Sequence, residues 1–438
     1  MATRSVPLLD AESHARRWVA DYRTHAGPDD ILAASADPAW PAMFAELAAV
    51  ASDDLDHVRQ RVQRHAADIG TGFRTAGDGS QRPWPVSPVP LLIGTGEWEN
   101  IAAGIVQRAD LLERITADLY GEARLVAAGH IPAALVTGSP HFLRPMVGLT
   151  PPGGHHLHFC AFDLGRDPSG QWRVLADHLR APAGAGYALE NRLAVGRTLG
   201  GLHARLNVRR HAPFFAAFRA GLAALCRRTE PRIGLLSPGR YDPTYPEQAH
   251  LARYLGLLLV EGADLAALEG KVYVRTVGGL KRIDALWRRL DSRLIDPLAF
   301  DSHSQIGIPG LIDAYAAEQV VLANAPGAGL LEAPAFAAFL PALAEALGAS
   351  LALPGLATWW CGGDAARAEA EANLDRLLIA PAFGPVPLGL SSRTPVPGHT
   401  LGDRFREDLA RRPQDYVAQE NVRLSTMPVV IGDRLEPR

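Results

Sequence analysis

The sequence predicts a mixed α/β fold, and two stretches support that prediction. Over residues 233–262 a short apolar strand, a helical stretch and a second apolar run follow one another, the rhythm of a parallel, Rossmann-like sheet. Over residues 156–191 two alternating runs flank a turn at residues 167–170, which predicts an antiparallel hairpin. A chain of 438 residues with 47% hydrophobic content can bury large cores. Its length favours about two or three domains.

Composition and charge exclude several classes of protein. The formal net charge is -3, which argues against nucleic acid as the main partner. Cys160, Cys226 and Cys361 have neither metal-ligand nor disulfide spacing, which is typical of a reducing compartment. The N-terminus lacks the apolar core of a signal peptide, and no run of about twenty apolar residues could span a membrane. We therefore predict a cytoplasmic protein with no membrane partner.

The remaining elements follow along the chain. Residues 1–66 have the composition and spacing of helices, and the Pro- and Gly-rich stretch 78–90 marks a boundary. Residues 98–120 have the apolar periodicity of a helix. Residues 320–324 read as a buried strand that ends in a glycine-rich loop at 325–329, and we expect this loop to face a ligand.

Two acidic residues of the hairpin form the first candidate site. Asp163 ends the first strand and Asp177 lies in the second, so a regular register would place them side by side. Facing carboxylates repel unless a cation or a proton lies between them, which favours a hard divalent metal. The alternative is a pair of solvated acids at strand ends. The glycine-rich bend 181–186 then brings Glu190 and Asn191, at the start of a helix, close to this pair.

A histidine cluster suggests a second metal site. On a strand, His156 and His158 would share one face next to His155, and two imidazoles at that spacing can bind zinc when a third ligand is present. No partner with recognisable spacing is visible in the sequence, so a polar or core role is the alternative. A zinc hydrolase is the function that this cluster alone would support.

The ends of the predicted parallel strands supply candidate binding residues. Ligands of such sheets bind beyond the carboxyl ends of the strands. On that rule the substrate-binding candidates are Tyr241, Asp242, Tyr245, Glu261 and Gly262. Arg192 directly follows Asn191, and its guanidinium would suit a phosphate, a carboxylate or a surface ion pair.

Several segments resemble one family. APAGAGYALENR, residues 181–192, resembles the signature of the circularly permuted type 2 ATP-grasp family, and RPWPVSPVPLLI around Trp84 resembles its N-terminal block. Later blocks are similar, in order up to residue 438: SPGRYDPTYPEQAHLARYLG, VEGADL, DPLAFDSHSQIGIPGL, VVLANAPGAG and YVAQENVRLST. The resemblance implies a circularly permuted ATP-grasp fold with a Rossmann-like pre-ATP-grasp domain. Its relatives by fold, glutathionylspermidine synthetase-like ligases, join a carboxylate to an amine through an acyl phosphate made from ATP.

The resemblance also implies a division of the chain. An N-terminal helical region (1–77) would precede the metal-side half of the ATP-grasp core (78–230), the Rossmann-like domain (231–330) and the nucleotide-binding lobe (331–438). That lobe would be incomplete, because the chain ends at Arg438. The implied partners are a small-molecule or peptide substrate and, in peptide modification, alpha-E or transglutaminase-like proteins.

By the same resemblance the site would use ATP and Mg²⁺ as cofactors. The metal ligands would be Asp163, Asp177, Glu190 and Asn191. The strand and linker that seat adenine would contain Gln419, Glu420, Asn421 and Val422, unless they form an ordinary sheet strand. Arg192 and Arg289 would be catalytic, and Asp291 would border the site.

Several positions depart from the family pattern. Where the family tends to have a lysine before Pro-Ala-Phe, this chain has Ala380, and Glu332 lies where an earlier lysine is expected. Pro385 and Pro387 remove backbone donors from the predicted phosphate-binding flap. We therefore consider two functions. One is an ATP-dependent carboxylate–amine ligase of peptide type, and the other is a degenerate relative that binds a peptide or protein in a peptide-modification system.

Overall fold

The structure is a computed structural model that describes residues 8–35, 37–51, 54–68, 72–74, 81–384 and 395–438. Its α-helices are α1 (Leu8–His25), α2 (Ile31–Ala34), α3 (Ala39–Ala51), α4 (Leu55–Asp68), α5 (Thr95–Tyr120), α6 (Arg124–Ala127), α7 (Ala133–Thr137), α8 (Ala185–Thr198), α9 (Leu202–Arg205), α10 (Ala212–Ala224), α11 (Tyr245–Leu255), α12 (Leu311–Ala316), α13 (Pro334–Ala337), α14 (Leu340–Ala346), α15 (Asp364–Ala372) and α16 (Asp403–Arg411). None of these described helices is long and apolar enough to cross a membrane.

The β-strands are β1 (Gly72–Arg74), β2 (Gln81–Pro83), β3 (Ala161–Arg166), β4 (Trp172–His178), β5 (Ile233–Leu236), β6 (Leu258–Val260), β7 (Leu265–Leu268), β8 (Lys271–Thr276), β9 (Gly279–Ile283), β10 (Ala285–Arg288), β11 (Val321–Ala323), β12 (Thr358–Trp360), β13 (Leu377–Pro381), β14 (Val396–Pro397), β15 (Tyr416–Glu420), β16 (Pro428–Ile431) and β17 (Arg434–Pro437). With the helices they make the mixed α/β fold that the sequence predicts.

A four-stranded parallel sheet forms the predicted Rossmann-like unit. Its strand order is β11, β10, β5, β6, and helix α11 connects β5 to β6. Every residue of β5 and β10 is buried, because both strands are internal and are covered on both faces. The carboxyl ends of all four strands meet at one edge of the sheet, where ligands of such folds bind. We call this edge the carboxyl edge.

The predicted hairpin is the pair β3–β4, and its turn chemistry is as expected. Oδ1 of Asp167 accepts hydrogen bonds from the backbone N–H groups of Ser169 (2.9 Å) and Gln171 (3.0 Å). Gly170 has a φ of 90°, which glycine adopts without strain. The turn residues therefore fix where the chain reverses direction.

The register of this hairpin differs from the expected one. A shift directly after Asp163 places Asp163 opposite Ala176 and Asp177 opposite Phe162. Successive residues of a strand point to opposite faces, so the two carboxylates lie on different faces of the hairpin. The prediction that they lie side by side is wrong, because it assumed a regular ladder without this irregularity.

A second sheet is antiparallel and holds the segment predicted to seat adenine. Its strand order is β12, β15, β13, β14. Strand β15 lies between two neighbours, so its backbone pairs with Leu377–Pro381 on one side and with Thr358–Trp360 on the other. Tyr416 and Val417 are fully buried. This strand is therefore a structural centre of its sheet.

The N-terminal helices do not bury their apolar faces only against one another. Tyr22, Phe44 and Val58 belong to a hydrophobic core that also contains Leu199, beyond the end of α8, and Leu435 of β17. Helix α4 contributes buried residues at helical spacing, as an amphipathic helix does. The N-terminal helices thus pack against helix α8. This helix follows residues 181–184 of the segment that resembles the family signature, and we call those residues the signature loop.

Candidate functional site

Asn324 fastens the hairpin β3–β4 to the carboxyl edge. Its Oδ1 accepts hydrogen bonds from the backbone N–H groups of His158 (2.6 Å) and Phe159 (2.8 Å). Its Nδ2 donates to the carbonyl oxygens of Phe159 (2.7 Å) and Leu179 (2.5 Å). The residue is 2% exposed, so these bonds form away from water, where losing one would leave a buried polar group unsatisfied. Both ends of the hairpin are therefore anchored where β11 ends.

The buried guanidinium of Arg288 holds the loop that follows β11. It donates to the carbonyl oxygens of Asn324 (2.7 Å), Ala325 (3.1 Å) and Leu290 (3.0 Å). Burial lowers the pKa of Arg288 to about 10. All three contacts are internal to the fold, so this cation shapes the carboxyl edge and does not face a ligand.

Glu247 occupies the N-terminus of helix α8. Its Oε1 accepts hydrogen bonds from the N–H groups of Gly184 (2.7 Å) and Gly186 (3.1 Å), and its Oε2 lies 3.2 Å from a guanidinium nitrogen of Arg289. Arg289 also donates to the carbonyl oxygen of Pro182. Burial lowers the pKa of Arg289, and the nearby Glu247 carboxylate opposes that shift. The donors at this helix end, which often bind an anionic ligand, are thus satisfied by a carboxylate of the protein itself.

This placement bears on the catalytic role predicted for Arg289. The side chains of Arg289 and Glu247 are 2% and 0% exposed. A guanidinium so enclosed and already bonded to two partners is not available to a substrate in this structure. The structure gives Arg289 the position of a residue that holds the signature loop in place.

A partly exposed group of charges lies next to the carboxyl edge, and we call it the edge cluster: Arg180, Asp291, Glu332 and His141. Nη1 of Arg180 lies 2.9 Å from Asp291 and its Nε lies 3.6 Å from Glu332. Glu332 also accepts the backbone N–H groups of Leu179 and Arg180. Burial lowers the pKa of His141, and Arg180 adds to this effect.

The edge cluster is open to ligands, unlike the pairs around it. Arg180, Asp291 and Glu332 have side chains that are 32%, 25% and 17% exposed. Nε of Arg293 lies 3.7 Å from Asp291, so two carboxylates face two guanidinium groups and the charges of the cluster balance. Its partly exposed carboxylates could still accept hydrogen bonds from an amine.

The predicted metal ligand Asp177 has a protein cation as its partner. Nε and Nη2 of Arg108, on α5, donate to Oδ1 (2.6 Å) and Oδ2 (2.8 Å) of Asp177. The two side chains are 4% and 10% exposed. This two-pronged geometry is the strong form of the arginine–carboxylate interaction. On the other face of the hairpin, Asp163 lies 2.9 Å from Nε2 of His178, and both of these side chains are exposed.

The other two predicted metal ligands lie on α8, and each has its own neighbours. Glu190 is fully buried, and one of its oxygens lies 2.6 Å from Nδ1 of His250 without the alignment of a hydrogen bond. Burial raises the pKa of Glu190. Oδ1 of Asn191 accepts a hydrogen bond from Trp84 (2.9 Å), whose ring stacks on Tyr187 at 4.0 Å. The segment around Trp84 thus packs on the signature helix.

The four residues predicted to bind magnesium therefore do not form one site in this structure. Within the described ranges, no group of three or more His, Cys, Asp or Glu side chains is arranged to hold a metal ion. The histidine cluster is likewise not a zinc site there, because Nδ1 of His156 lies 3.2 Å from Glu113 and no group of three ligands forms among the described residues. The side chains present do not fit a magnesium ion at the predicted ligands.

Arg192, the second predicted catalytic residue, points away from the carboxyl edge. Its Nη1 donates to the carbonyl oxygen of Arg209 (2.7 Å), and its Nη2 lies 3.0 Å from Nε2 of His211. Burial lowers its pKa. Arg192 therefore ties α8 to the loop before α10.

The residues predicted to bind substrate after β5 have mixed positions. Tyr241 is 76% exposed and lies beside Arg240. Oδ1 of Asp242 accepts hydrogen bonds from the backbone N–H of Thr244 (2.8 Å) and from Gln248 (3.0 Å), so it stabilises the start of α11. Tyr245 is the first residue of that helix. Only Tyr241 presents most of its surface to solvent.

The residues predicted to bind substrate after β6, Glu261 and Gly262, lie where neighbouring loops approach each other closely. A Cβ atom at Gly262 would lie 2.1 Å from the carbonyl oxygen of Ile306, so only glycine fits there. A Cβ atom at Gly239 would lie 3.0 Å from a Glu261 carboxylate oxygen. Glu261 thus lies against the loop that follows β5, and the ends of β5 and β6 are brought together as expected of a parallel sheet.

The predicted adenine segment begins inside the antiparallel sheet and leaves it at Asn421. The Nε2 of Gln419 lies 3.4 Å from Oγ1 of Thr358, and Oε1 of Glu420 accepts a hydrogen bond from Arg173 of β4 (2.8 Å). Asn421 and Val422 follow the strand as irregular backbone. The structure therefore joins this segment to the hairpin through the Arg173–Glu420 pair.

Lysine is nearly absent from this protein, which limits how it could bind a triphosphate. The sequence contains lysine only at Lys271 and Lys281, both in the sheet formed by β7, β8 and β9. Ala380, at the expected lysine position, is 0% exposed in β13. A side-chain cation for phosphate elsewhere in the chain would thus have to be an arginine or a histidine. Pro385 and Pro387 lie outside the described residues.

Several residues that organise the site were not predicted: Asn324, Arg288, Glu247, Arg108 and Arg180. Asn324 ends an apolar strand before a glycine-rich loop, and an amide at that point was a usable signal. Glu247 lies in one of the segments that resemble the family. Arg108 offered no signal, because it is one charge on a long amphipathic helix and its partner is distant in sequence.

Comparison with known structures first places the fold in a class. The solved apo structure of a glutathione synthetase-like effector from Globodera pallida matches with a TM-score of 0.52, at 11% sequence identity. The match covers 85% of this chain and 82% of that one. At this identity the likeness concerns the fold alone. The fold predicted from the sequence is confirmed at that level.

Sequence comparison then identifies the family. The family model described as circularly permuted ATP-grasp type 2 matches residues 90–438, and this protein belongs to that family. An uncharacterized protein of Mycobacterium tuberculosis is 33% identical over 405 residues, which are 91% of this chain and 72% of the relative. One from Synechocystis is 32% identical over 376 residues, 85% and 78% of the two chains. At the level of class, the family supports an ATP-dependent ligase.

A further relative is longer than this chain. Another uncharacterized protein of Mycobacterium tuberculosis is 38% identical over 353 residues, which are 79% of this chain but only 39% of the relative.

Proposed function

We propose that this protein is a member of its ligase family whose phosphate-transfer site lacks groups needed to bind metal and phosphate, which we call a reduced site. We propose that it works by binding a peptide or a partner protein. The observation that carries this proposal is the buried pair of Arg108 and Asp177, with contacts of 2.6 and 2.8 Å. A carboxylate that already neutralises a buried guanidinium is a poor metal ligand. A metal ion would have to displace the guanidinium and leave it buried without a partner.

The substitutions at the expected lysines support the same proposal. Ala380 has no charge and is enclosed in the hydrophobic core. Glu332 places a negative charge where a cation is expected, and its Oε1 accepts hydrogen bonds from two backbone N–H groups. Removing one positioned group that stabilises developing charge typically costs about 3–4 kcal/mol of transition-state stabilisation. Two such losses would make phosphoryl transfer very slow.

A second candidate is an active carboxylate–amine ligase. In that reaction a substrate carboxylate attacks the γ-phosphate of ATP to give an acyl phosphate and ADP. The amine then attacks the acyl carbon, and phosphate leaves. Two features favour this candidate: the irregular backbone at Asn421 and Val422 beyond the paired strand, and the partly exposed carboxylates of the edge cluster, which could bind an amine.

Calorimetric titration of Mg·ATP separates the two candidates. We expect no saturable heat with the wild-type protein. A family member that has a lysine at the position of Ala380 serves as the positive control. Saturable binding to the wild type would overturn the proposal of a reduced site. Asp163 lies on the other face of the hairpin and serves as a control. If Asp177→Asn weakened Mg·ATP binding while Asp163→Ala did not, an active ligase with a metal at Asp177 would replace the reduced-site proposal.

A further inference from the structure

A strongly basic surface extends across helices α8, α10 and α11. Between Arg192 and Arg232 the sequence contains Glu230 as its one acidic residue, although the whole chain has a net charge of -3. Arg197, Arg209 and Arg210 of this stretch and Arg253 of α11 have exposed side chains, and two exposed aromatic rings lie among them. We call this surface the basic face: Arg197, Arg209, Arg210, Arg253, Phe214 and Tyr254.

Within the described part of the chain, the arginines of the basic face differ from others nearby because they form no ion pair with a carboxylate, although the charge of the buried Glu190 reaches Arg197 and Arg253. Neighbouring arginines form ion pairs: Arg205 with Glu46 (3.2 Å), Arg227 with Glu318 (2.8 Å) and Arg228 with Asp284 (3.3 Å). Among the residues that the structure describes, no carboxylate forms such a pair with Arg197, Arg209, Arg210 or Arg253. Their guanidinium groups therefore keep donors that are free to bind carboxylates from another molecule.

Specific contacts hold the parts of this face together. Arg192 links α8 to the loop before α10 through its hydrogen bond to the carbonyl oxygen of Arg209 (2.7 Å). The ring of Phe215, next to Phe214, lies 5.6 Å from that of Tyr254 on α11. The face is therefore held together by contacts between α8, α10 and α11, with Arg209 and Arg210 in the loop before α10.

The electrostatic environment agrees with an excess of positive charge. Burial lowers the pKa of His203 and of His211, and in both cases the charge of Arg192 lowers it further. The pKa of His250 is lowered by burial and then by Arg253. The charges of Arg192 and Arg253 thus help to keep these three imidazoles neutral, although the buried Glu190 lies near Arg253 and His250 and offsets part of that charge.

We propose that the basic face binds an acidic polypeptide segment of a substrate or partner protein. Guanidinium groups match carboxylates in geometry and charge. Phe214 and Tyr254, which are 56% and 45% exposed, supply apolar area between them. Arginine and aromatic residues together are typical of the energetic centres of protein interfaces. A sequence pI of about 6.6 is low for a protein whose main ligand is nucleic acid.

This inference rests on the proposed binding function and names its ligand class. Fluorescence anisotropy tests it with two labelled peptides of equal length. One is rich in glutamate and has a single tryptophan, and the other has glutamine in place of each glutamate. We expect the glutamate peptide to bind the wild type. The glutamine peptide should bind at least about tenfold more weakly, a difference of about 1.4 kcal/mol, because it lacks the carboxylates. Added salt should weaken the binding.

Charge reversal on the face provides the matched variants. Arg209→Glu combined with Arg210→Glu should weaken glutamate-peptide binding about tenfold or more. Arg16→Glu combined with Arg376→Glu makes the same change in net charge elsewhere on exposed surface and should leave binding nearly unchanged. The substituted side chains are exposed, so an unchanged unfolding curve is the check on folding.

Three results would overturn the inference. They are equal binding of the two peptides, equal weakening by both double variants, and tighter binding of a single-stranded oligonucleotide or of phosphatidylserine vesicles than of the glutamate peptide. None of these results depends on whether Mg·ATP binds, so the inference can fail while the proposal of a reduced phosphate site stands, and the reverse also holds.

Discussion

The buried pair of Arg108 and Asp177 gives the sharpest test of the reasoning. Asp177→Ala would leave a guanidinium that is 4% exposed without its carboxylate, and Arg108→Met would leave a carboxylate that is 10% exposed without its cation. Removing one partner of a buried ion pair typically costs about 3–5 kcal/mol, whereas removing both can be close to neutral. We expect each single variant to lose about 3 kcal/mol of unfolding free energy, at the low end because Asp177 retains some contact with solvent.

The assay is urea-induced unfolding followed by tryptophan fluorescence, applied as a double-mutant cycle. The double variant should lose clearly less than the sum of the two single variants. The pair of Asp163 and His178 is a control in the same hairpin. Its side chains are 63% and 43% exposed, so Asp163→Ala should cost no more than about 1 kcal/mol. The pairing would be refuted if the losses in the Arg108 and Asp177 cycle were additive, or if Asp177→Ala had the unfolding free energy of the wild type. Asp177 would then be available as a metal ligand.

Three further predictions concern other buried groups. Glu247→Gln keeps an acceptor for helix α8 but leaves Arg289, 2% exposed, without its carboxylate, so urea unfolding should show a loss of about 3 kcal/mol. The pKa of His158 falls from 6.5 to about 4 on folding. This shift contributes on the order of 3 kcal/mol to the unfolding free energy above pH 6.5, and that contribution is lost as the pH falls towards 4. His158→Gln should therefore flatten this part of the curve of stability against pH. Ala380→Lys would bury an ammonium group at a position that is 0% exposed and should lower the urea midpoint well below that of Ala380→Met, and equal midpoints would contradict this.

The sequence predicted those parts of the fold that local patterns determine. The apolar runs that became β5 and β6 were recognisable because internal parallel strands are buried on both faces. The hairpin turn was recognisable because Asp167 and Gly170 have the side chain and the backbone freedom that such a turn requires. The glycine-rich loop after β11 was also recognised, since it directly follows a buried strand.

The arrangement of charges could not be predicted in the same way. A single irregularity after Asp163 moves Asp177 to the other face of the hairpin, and no local signal in the sequence announced it. The partner of Asp177, Arg108, belongs to a helix in a separate part of the chain. Whether a buried carboxylate meets a metal, an arginine or a backbone N–H depends on such distant neighbours, so residue type and spacing identified the acids but not their roles.

The edge cluster explains how the fold accommodates Glu332 at a position where the family pattern has a lysine. Glu332 accepts the N–H groups of Leu179 and Arg180 and lies 3.6 Å from the Arg180 guanidinium. A lysine there could accept neither hydrogen bond, and its ammonium would face Arg180. The loss of the expected cation at 332 is therefore coupled to the presence of Arg180, and the two residues form one arrangement in which a bonded carboxylate replaces a free positive charge. Restoring lysine at 332 alone would leave two backbone donors unsatisfied and two cations in contact, so the chain could not regain a phosphate-binding cation by that single substitution.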